Sequence, residues 1–307
     1  MVRRVLVTLA AVAAAVCTTA PAHGAAGPSP YRAALHCPAR FDSGREPVLL
    51  VHGTGLNADE SWSWNYAQAL PGRGYDVCSL DLPGFAMGDI QVSADYVRYA
   101  VTHIAARTHR KVEVITHSQG GMEARWAVRW FPRVRRDVDD LIMLASPNHG
   151  IAAADVCAAA GSCWPAVWQM AGSSRFLAAL NRGDETPGAV SYTNVFSRTD
   201  ELVEPSSTVP MRGAANIAIQ DICLRPVHHA GLLTDSVAWA LVLDALTHRG
   251  PADADRIPAT VCAEPFAPGM GASAVAAGNL TLYSQAALHF AQAPGTSHEP
   301  PLRRYAR

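Results

Sequence analysis

The chain has 307 residues, of which 25 are Lys or Arg and 26 are Asp or Glu, so its formal net charge is −1. This balance gives no reason to expect nucleic acid or another polyanion as a partner. With 49% hydrophobic residues, the chain is long enough for one large globular domain. Beyond the N-terminus, no apolar run is long enough to span a membrane.

A signal peptide is predicted over residues 1–26. Two arginines precede an apolar run over residues 5–16, which is too short for a membrane span, and small residues follow. Cys17 is a weak match to a lipoprotein anchor, because Val16 precedes it where Gly or Ala is usual. We therefore expect a secreted protein, with residues 27–307 as a single domain.

Short apolar strands alternate with helical patterns along the rest of the chain. The predicted strands cover residues 48–51, 75–80, 112–117, 139–145, 190–196 and 215–219, and the predicted helices cover residues 94–108, 122–131 and 234–247. This alternation is typical of a mostly parallel sheet with helices on both faces. The predicted fold class is therefore α/β.

A serine stands at the turn between one predicted strand and the next helix. Ser118 follows the strand, and Gly120 and Gly121 open the helix. This arrangement is typical of the nucleophile elbow of α/β-hydrolases, where glycines are needed because backbones nearly touch. The usual pattern is G-x-S-x-G, and Thr116 occupies its first position here. The alternative is a serine in an ordinary turn, and the residues that follow decide between the two interpretations.

Candidate partners of this serine follow in the order that the fold uses, which is serine, acid, histidine. Asp200 and Glu201 come just after a predicted strand, and either carboxylate could orient an imidazole. His228 and His229 lie in the loop before a predicted helix. From position alone, each pair leaves two alternatives open.

The loop after the first buried strand completes the expected machinery. Residues 52–55 have the sequence His-Gly-Thr-Gly, at the place where these enzymes provide one donor to the oxyanion. The other donor is the backbone N–H of the residue after the nucleophile, here Gln119. His52 is expected to stabilise its own loop and to take no part in the chemistry.

Two segments depart from the strand–helix alternation. Residues 151–182 are too long for a plain connection and are rich in Ala, Trp and Cys, so we predict a small helical cap over the active site. The tail, residues 265–307, carries an apolar helix-like run near residues 280–293. We expect this tail to line the other wall of the site.

Six cysteines remain once the signal peptide is removed. They are Cys37, Cys78, Cys157, Cys163, Cys223 and Cys262. An even number in an exported chain favours disulfides, although six cysteines allow fifteen pairings, and Cys78 could instead be a buried thiol in its strand. No CxxC motif or His/Cys cluster has metal-ligand spacing, so no metal site is expected.

The chain resembles the lipase B group of α/β-hydrolases from about residue 31 to residue 307. The resemblance is carried by residues 51–55, 116–121, 166–169, 193–201 and 229–231. That group also tolerates threonine at the first position of the elbow. The resemblance implies an α/β-hydrolase fold, a carboxylic ester hydrolase (lipase or esterase) and no cofactor.

The resemblance also assigns roles to individual residues. It implies Ser118 as nucleophile, Asp200 as acid and His229 as base. It implies an oxyanion hole formed by Gln119 and by both the N–H and the hydroxyl of Thr54. It further implies the disulfides Cys37–Cys78 and Cys223–Cys262, which leaves Cys157 and Cys163 to pair with each other.

Two departures from the group concern the substrate pocket and the tail. The residue before the nucleophile, commonly a tryptophan beside the alcohol pocket, is His117, so we expect a wider pocket and altered stereoselectivity. Trp168 is expected to line the groove. The C-terminal extension and its cysteine are missing, and Ser297 stands where the partner cysteine would be, so one disulfide of the group is expected to be absent.

Taken together, these features predict a secreted, monomeric serine hydrolase that acts on lipid-like esters. A polyesterase or acyltransferase with the same triad is the nearer alternative. A secreted binding module on the same fold is the alternative from a different class, although such proteins usually lose a catalytic residue. The partner is then an ester or lipid substrate.

Overall fold

A computed structural model describes residues 29–307, so the predicted signal peptide and Cys17 lie outside the described residues. The strands in this part of the chain are β1 (Leu35–His36), β2 (Val48–Val51), β3 (Val77–Leu80), β4 (Val112–His117), β5 (Val138–Leu144), β6 (Ser191–Phe196) and β7 (Ala215–Ala218). They form one sheet in the order β1-β3-β2-β4-β5-β6-β7. Strand β1 runs antiparallel to β3, and all other pairs are parallel.

Helices connect these strands and cover the sheet. The α-helices of the described residues are α1 (Pro30–Ala33), α2 (Ala58–Trp62), α3 (Tyr66–Ala69), α4 (Ile90–Thr108), α5 (Gly120–Trp130), α6 (Pro132–Asp137), α7 (Ala152–Ala159), α8 (Pro165–Met170), α9 (Arg175–Leu180), α10 (Ile219–Ile222), α11 (Ser236–Thr247) and α12 (Ala272–Gln292). The strands and the helices therefore alternate through the central part of the chain, as the sequence predicts.

The central strand β4 contributes side chains to two separate apolar cores. Ile115 packs in one core with Leu241 of α11. Val114, which points to the opposite face, packs in a second core with Ile104 of α4 and Ala127 of α5. Because side chains alternate along a strand, helices on both faces bury every residue of β4. This confirms the predicted mostly parallel sheet with helices on both faces.

Two helices begin at positions fixed by a capping aspartate. Helix α4 begins at Ile90 rather than at residue 94, because the Asp89 side chain accepts a hydrogen bond from a backbone N–H in the first turn. Helix α11 begins at Ser236, where Asp235 caps two N–H groups in the same way. Helix α4 thus begins four residues before its predicted start, and α11 begins two residues after its predicted start.

The segment at residues 151–182 folds into the short helices α7, α8 and α9, and the tail contains α12. Helix α12 begins at Ala272, earlier than the apolar run at residues 280–293 indicates. Two backbone hydrogen bonds join the segments, from Cys163 N to Thr296 O (2.9 Å) and from Thr296 N to Cys163 O (2.7 Å). No helix within residues 29–307 is both long enough and apolar enough to cross a membrane.

Three disulfides are present in the described part of the chain. They are Cys37–Cys78, Cys157–Cys163 and Cys223–Cys262, the same pairs as those expected from the resemblance. The first and third close loops with sequence separations of 41 and 39 residues. On the chain-entropy treatment each of these two contributes roughly 3–4 kcal/mol by restricting the unfolded chain. The third also anchors the segment that leads to His229.

Candidate active site

Ser118 sits at a sharp turn between β4 and α5. Its backbone φ is 54°, a left-handed conformation that is strained for a residue with a side chain. Its N–H donates to the carbonyl of Leu144 at 2.8 Å, which holds the turn against the end of β5. A Cβ on Gly120 would lie 2.6 Å from the carbonyl oxygens of Val51 and His52. Glycine is therefore required at this position, as expected for a nucleophile elbow.

Asp200 and His229 form a buried pair next to this turn. His229 Nδ1 donates to Asp200 Oδ2 at 2.8 Å, and both residues are buried. Asp200 Oδ1 accepts hydrogen bonds from the N–H groups of Leu202 and Val203, each at 2.9 Å. Burial alone would raise the pKa of Asp200, but the hydrogen bonds from His229 and from these N–H groups hold it below its ordinary value. The carboxylate is therefore fixed in place and ionised.

Glu201 and His228, which the sequence left open as alternatives to Asp200 and His229, take different positions. Glu201 does not contact the imidazole: its Oε2 accepts from the backbone N–H of His229 at 2.9 Å. Its Oε1 accepts from the Tyr283 hydroxyl of α12 at 2.7 Å. His228 points outward, with a side chain that is 73% exposed and lies 3.3 Å from Glu201. Of the two carboxylates, only Asp200 accepts a hydrogen bond from the His229 imidazole.

Ser118 and His229 line the same cavity. No hydrogen bond joins Ser118 Oγ to His229 Nε2 in the described part of the chain. Catalytic hydrogen bonds are commonly long before substrate binds and shorten in the reacting complex. The hydroxyl and the imidazole therefore lie on the same cavity, without a hydrogen bond between them in this structure.

Thr54 and Gln119 are joined by their side chains. Thr54 Oγ1 donates to Gln119 Oε1 at 2.5 Å, so its hydroxyl hydrogen is directed to Gln119. Gln119 Nε2 donates to Ala86 O at 2.8 Å and to Glu123 Oε1 at 2.7 Å, which fixes the orientation of the amide. Because Gln119 stands at the start of α5, its own N–H has no acceptor within the helix and is free to bind an anion.

Glu123 is a buried carboxyl that the sequence analysis did not identify. It lies one helical turn after Gln119 and is 0% exposed. Burial raises its pKa to about 8, so the group is largely protonated at neutral pH. The sequence carried one indication of its position. Glu123 lies four residues after Gln119, so both side chains lie on the same face of the helix.

Replacing Glu123 with glutamine should change how stability depends on pH. The pKa of Glu123 in the folded chain, about 8, lies above that of an unfolded glutamate. The folded state therefore holds more protons, and the stabilisation from Glu123 falls as pH rises between about 4.3 and 8. We expect the Tm of Glu123→Gln, relative to wild type, to increase from about pH 5 to about pH 9. A Tm difference that stays constant over this range would contradict a buried, protonated Glu123.

His117 packs against the histidine of the buried pair. Its ring centroid lies 4.7 Å from that of His229. His117 Nε2 donates to the carbonyl oxygen of His229 at 3.2 Å. Burial, together with the neighbouring His229, lowers the pKa of His117 to about 3, so the ring is neutral near pH 7. His117 lines the cavity and also supports the backbone of His229.

The cavity in front of Ser118 has a volume of about 320 Å³. One wall comes from residues 151–182 and includes Ile151, Trp164, Val167 and Met170; the opposite wall comes from α12 and includes Leu282, Tyr283, Ala286 and Phe290. The polar groups Thr54, Ser118 and His229 lie together on its lining. An apolar cleft with a few convergent polar groups is the usual form of a small-molecule site.

Trp168, which was expected to line the groove, is not among the residues that line this cavity. Its Nε1 donates to the carbonyl of Thr296 at 3.1 Å, which directs the ring toward the tail. Trp164 lines the cavity instead, and packs edge-to-face against Phe290 with ring centroids 4.9 Å apart. Both tryptophans lie in the predicted cap, and sequence position alone does not distinguish which of them faces the cavity.

Comparisons with known proteins identify the family of this chain. Residues 45–230 match the family described as Lipase (class 2). The chain is 32% identical over 276 residues to lipase B of Pseudozyma antarctica, and the alignment covers 85% of this chain and 79% of that enzyme. The match to the family spans more than half of the chain and includes the elbow, the acid and the histidine.

Solved structures show the same fold. Aspergillus fumigatus lipase B superposes with a TM-score of 0.82 at 31% identity, covering 90% of this chain and 71% of that one. A Bacillus licheniformis lipase in its propeptide form superposes with a TM-score of 0.58 at 18% identity, over 71% of this chain and 54% of its own. The fold is thus that of the α/β-hydrolases. The chain belongs to the class 2 lipase family and is a carboxylic ester hydrolase.

Proposed function

We propose that this protein is a secreted serine hydrolase that cleaves lipid-like carboxylic esters. Ser118 is the nucleophile, His229 the general base and Asp200 the acid that orients it. The observation that carries the proposal is the buried Asp200–His229 hydrogen bond of 2.8 Å, on the cavity that also holds Ser118 at its strained turn. A hydroxyl, an imidazole and a carboxylate in this arrangement form an activated nucleophile.

The first half of the reaction acylates the enzyme. His229 Nε2 removes the proton of Ser118 as Oγ attacks the ester carbonyl carbon, and the imidazolium is stabilised by Asp200. Since Nδ1 of His229 already donates to Asp200, Nε2 is the nitrogen free to accept this proton. The alcohol then leaves as His229 returns the proton to its oxygen. Water repeats the same steps on the acyl-enzyme and releases the acid.

The negative charge on the tetrahedral intermediate is stabilised by the N–H groups of Gln119 and Thr54. Losing one such donor typically costs about 3–4 kcal/mol of barrier. The hydroxyl of Thr54 becomes a third donor only if its hydrogen leaves Gln119 Oε1, to which it donates before substrate binds. A stronger acceptor, such as an oxyanion, favours this rearrangement because charge-assisted hydrogen bonds are stronger than neutral ones.

The substrate class follows from the walls of the cavity. Both walls are mainly apolar, so the acyl part of an ester fits between the proposed cap, residues 151–182, and the proposed tail wall, residues 265–307. Secretion is supported by the N-terminal sequence pattern and by the three disulfides. The triad chemistry itself requires no metal or organic cofactor.

The proposal is tested by hydrolysis of p-nitrophenyl esters from butyrate to palmitate. We expect serine-dependent turnover, measured beside a Ser118→Ala control. A maximum at long chains would identify a deep acyl groove and hence a lipase, and a maximum at short chains would identify an esterase or polyesterase. Turnover of a soluble ester only when a second alcohol is present would identify an acyltransferase. No turnover on any chain length would overturn the proposal in favour of a binding module.

A further inference from the structure

Three carboxylates meet at the end of the sheet opposite Ser118. Glu113 lies near the start of β4, and Asp139 and Asp140 lie at the start of β5. The register between these strands shifts at this point, because Val112 pairs with Val138 while Val114 pairs with Leu141. A β-bulge of this kind sets two residues of one strand opposite one residue of its neighbour. It therefore brings both aspartates to Glu113.

The oxygen atoms are close enough to share one ion. One carboxylate oxygen from each residue lies within 4.8 Å of the other two. Calcium binds oxygen at about 2.3–2.6 Å, so oxygens that face each other across the ion are separated by about twice that distance. Two oxygens on one calcium ion are therefore at most about 5 Å apart, and the three carboxylate oxygens lie within that limit.

The side chain of Asp140 is buried beside the other two carboxylates. The residue is only 5% exposed, and its Oδ1 is buried with no hydrogen-bond partner. A buried carboxylate oxygen without a partner is costly and usually indicates an ion or water that binds it. Glu113, which is 4% exposed, accepts one hydrogen bond through Oε2, from the N–H of Asp140 at 3.0 Å.

The charge of the cluster is also incompletely balanced. Lys111 Nζ lies 2.8 Å from Asp139 Oδ1, and these side chains are 44% and 40% exposed. No ion pair in the described residues involves Glu113 or Asp140. Two buried carboxylates therefore face each other without a cation, an arrangement that is unfavourable unless protons or a metal ion neutralise it.

We propose that Glu113, Asp139 and Asp140 bind a calcium ion that stabilises this end of the sheet. All the donors are oxygens, which suit a hard cation better than the softer transition metals. The exposed side chain of Asp139 gives the ion a route to solvent and leaves room for water ligands. Calcium is favoured over magnesium because it accepts irregular geometry and higher coordination numbers.

Calcium titration of the wild-type enzyme tests this proposal without an activity assay. After treatment with a chelator, we expect calcium binding to be measurable by calorimetry with a Kd at or below the millimolar range, as in other extracellular sites. We expect about 5 mM calcium to raise Tm by several degrees, and the same concentration of magnesium to raise it less. No heat of binding and no rise in Tm would overturn the proposal.

Two substitutions assign the effect to the cluster. Asp140→Asn, which keeps the shape of the side chain, should abolish most of the rise in Tm, and Glu113→Gln should do the same if the first variant does not fold. Asp255→Asn removes an exposed carboxylate elsewhere and should leave the rise unchanged. If either cluster variant keeps the full calcium response, the proposed site is wrong.

Protons are the alternative to a metal ion for neutralising the charge of the cluster. Burial, together with the neighbouring aspartates, raises the pKa of Glu113 to about 9, and burial and Asp139 raise that of Asp140 to about 7. If protons alone neutralise the pair, the Tm of protein stripped of metal and then freed of chelator should be insensitive to added calcium at every pH tested. That outcome would replace the metal site with a shared-proton pair.

Discussion

Replacing Ser118 with alanine is expected to reduce kcat for ester hydrolysis by roughly 10⁶-fold, the scale observed when a serine hydrolase loses its nucleophile. Without Oγ no acyl-enzyme can form, and the remaining hydrogen-bond donors accelerate only a direct attack by water. Stability should hardly change, because the variant keeps the Cβ and the backbone turn, and Ser118 Oγ makes no hydrogen bond to His229. Steady-state kinetics and a thermal melt of the two proteins measure both effects.

A matched control is available on α12. Ser284 is exposed on the helix that forms one wall of the cavity, and its hydroxyl bonds only within its own helix. Ser284→Ala should therefore retain wild-type turnover. An irreversible phosphonate should label wild type at Ser118 and fail to label the Ser118→Ala variant. Substantial hydrolysis by Ser118→Ala, or labelling at another serine, would remove Ser118 from the proposed mechanism.

The elbow could be predicted from sequence because its determinants are local. A buried strand, a serine and two glycines follow one another within ten residues, and the close approach of neighbouring atoms explains the glycines. The parallel sheet could be predicted for a similar reason, since each apolar strand and each helix has its own periodicity. The disulfide pairing came from the resemblance, because six cysteines alone leave fifteen possibilities.

Contacts between distant segments could not be predicted in this way. Asp200 and Glu201 are adjacent in sequence, and only the path of the loop after β6 directs one carboxylate to the imidazole and the other to a backbone N–H. Trp164 and Trp168 lie one helical turn apart and both donate to carbonyls of the tail, but Trp164 also packs against Phe290 and lines the cavity. In each case the deciding partner is remote in sequence.

Buried polar groups were missed for a further physical reason. Glu113 and Glu123 occupy positions in β4 and α5 where a charged residue would normally face solvent. Sequence periodicity assigns a face to each residue but does not show that both faces of β4 are covered, or that Glu123 points at Gln119. The bulge between β4 and β5 is likewise a property of the pairing of two strands, which neither strand reveals alone.

The adjacent acids Asp200 and Glu201 offer the most discriminating further experiment. Asp200→Asn is expected to reduce kcat by about 10⁴-fold, because an amide in place of the carboxylate favours the wrong tautomer of His229 and cannot stabilise the imidazolium. Asparagine has nearly the same size as aspartate, so Tm should fall only modestly. The measurement is kcat as a function of pH for wild type and variant, since a lost imidazolium partner should also change the pH profile.

Glu201→Gln is the matched comparison for this prediction. Glu201 accepts one hydrogen bond at each oxygen, from the N–H of His229 and from the hydroxyl of Tyr283. Glutamine retains an acceptor for one of them, so the loss should be about one hydrogen bond, or roughly tenfold or less in kcat. Equal losses in the two variants would contradict the assignment of the acid to Asp200. A much larger loss in Glu201→Gln would transfer that role to Glu201, and would require the loop after β6 to rearrange when substrate binds.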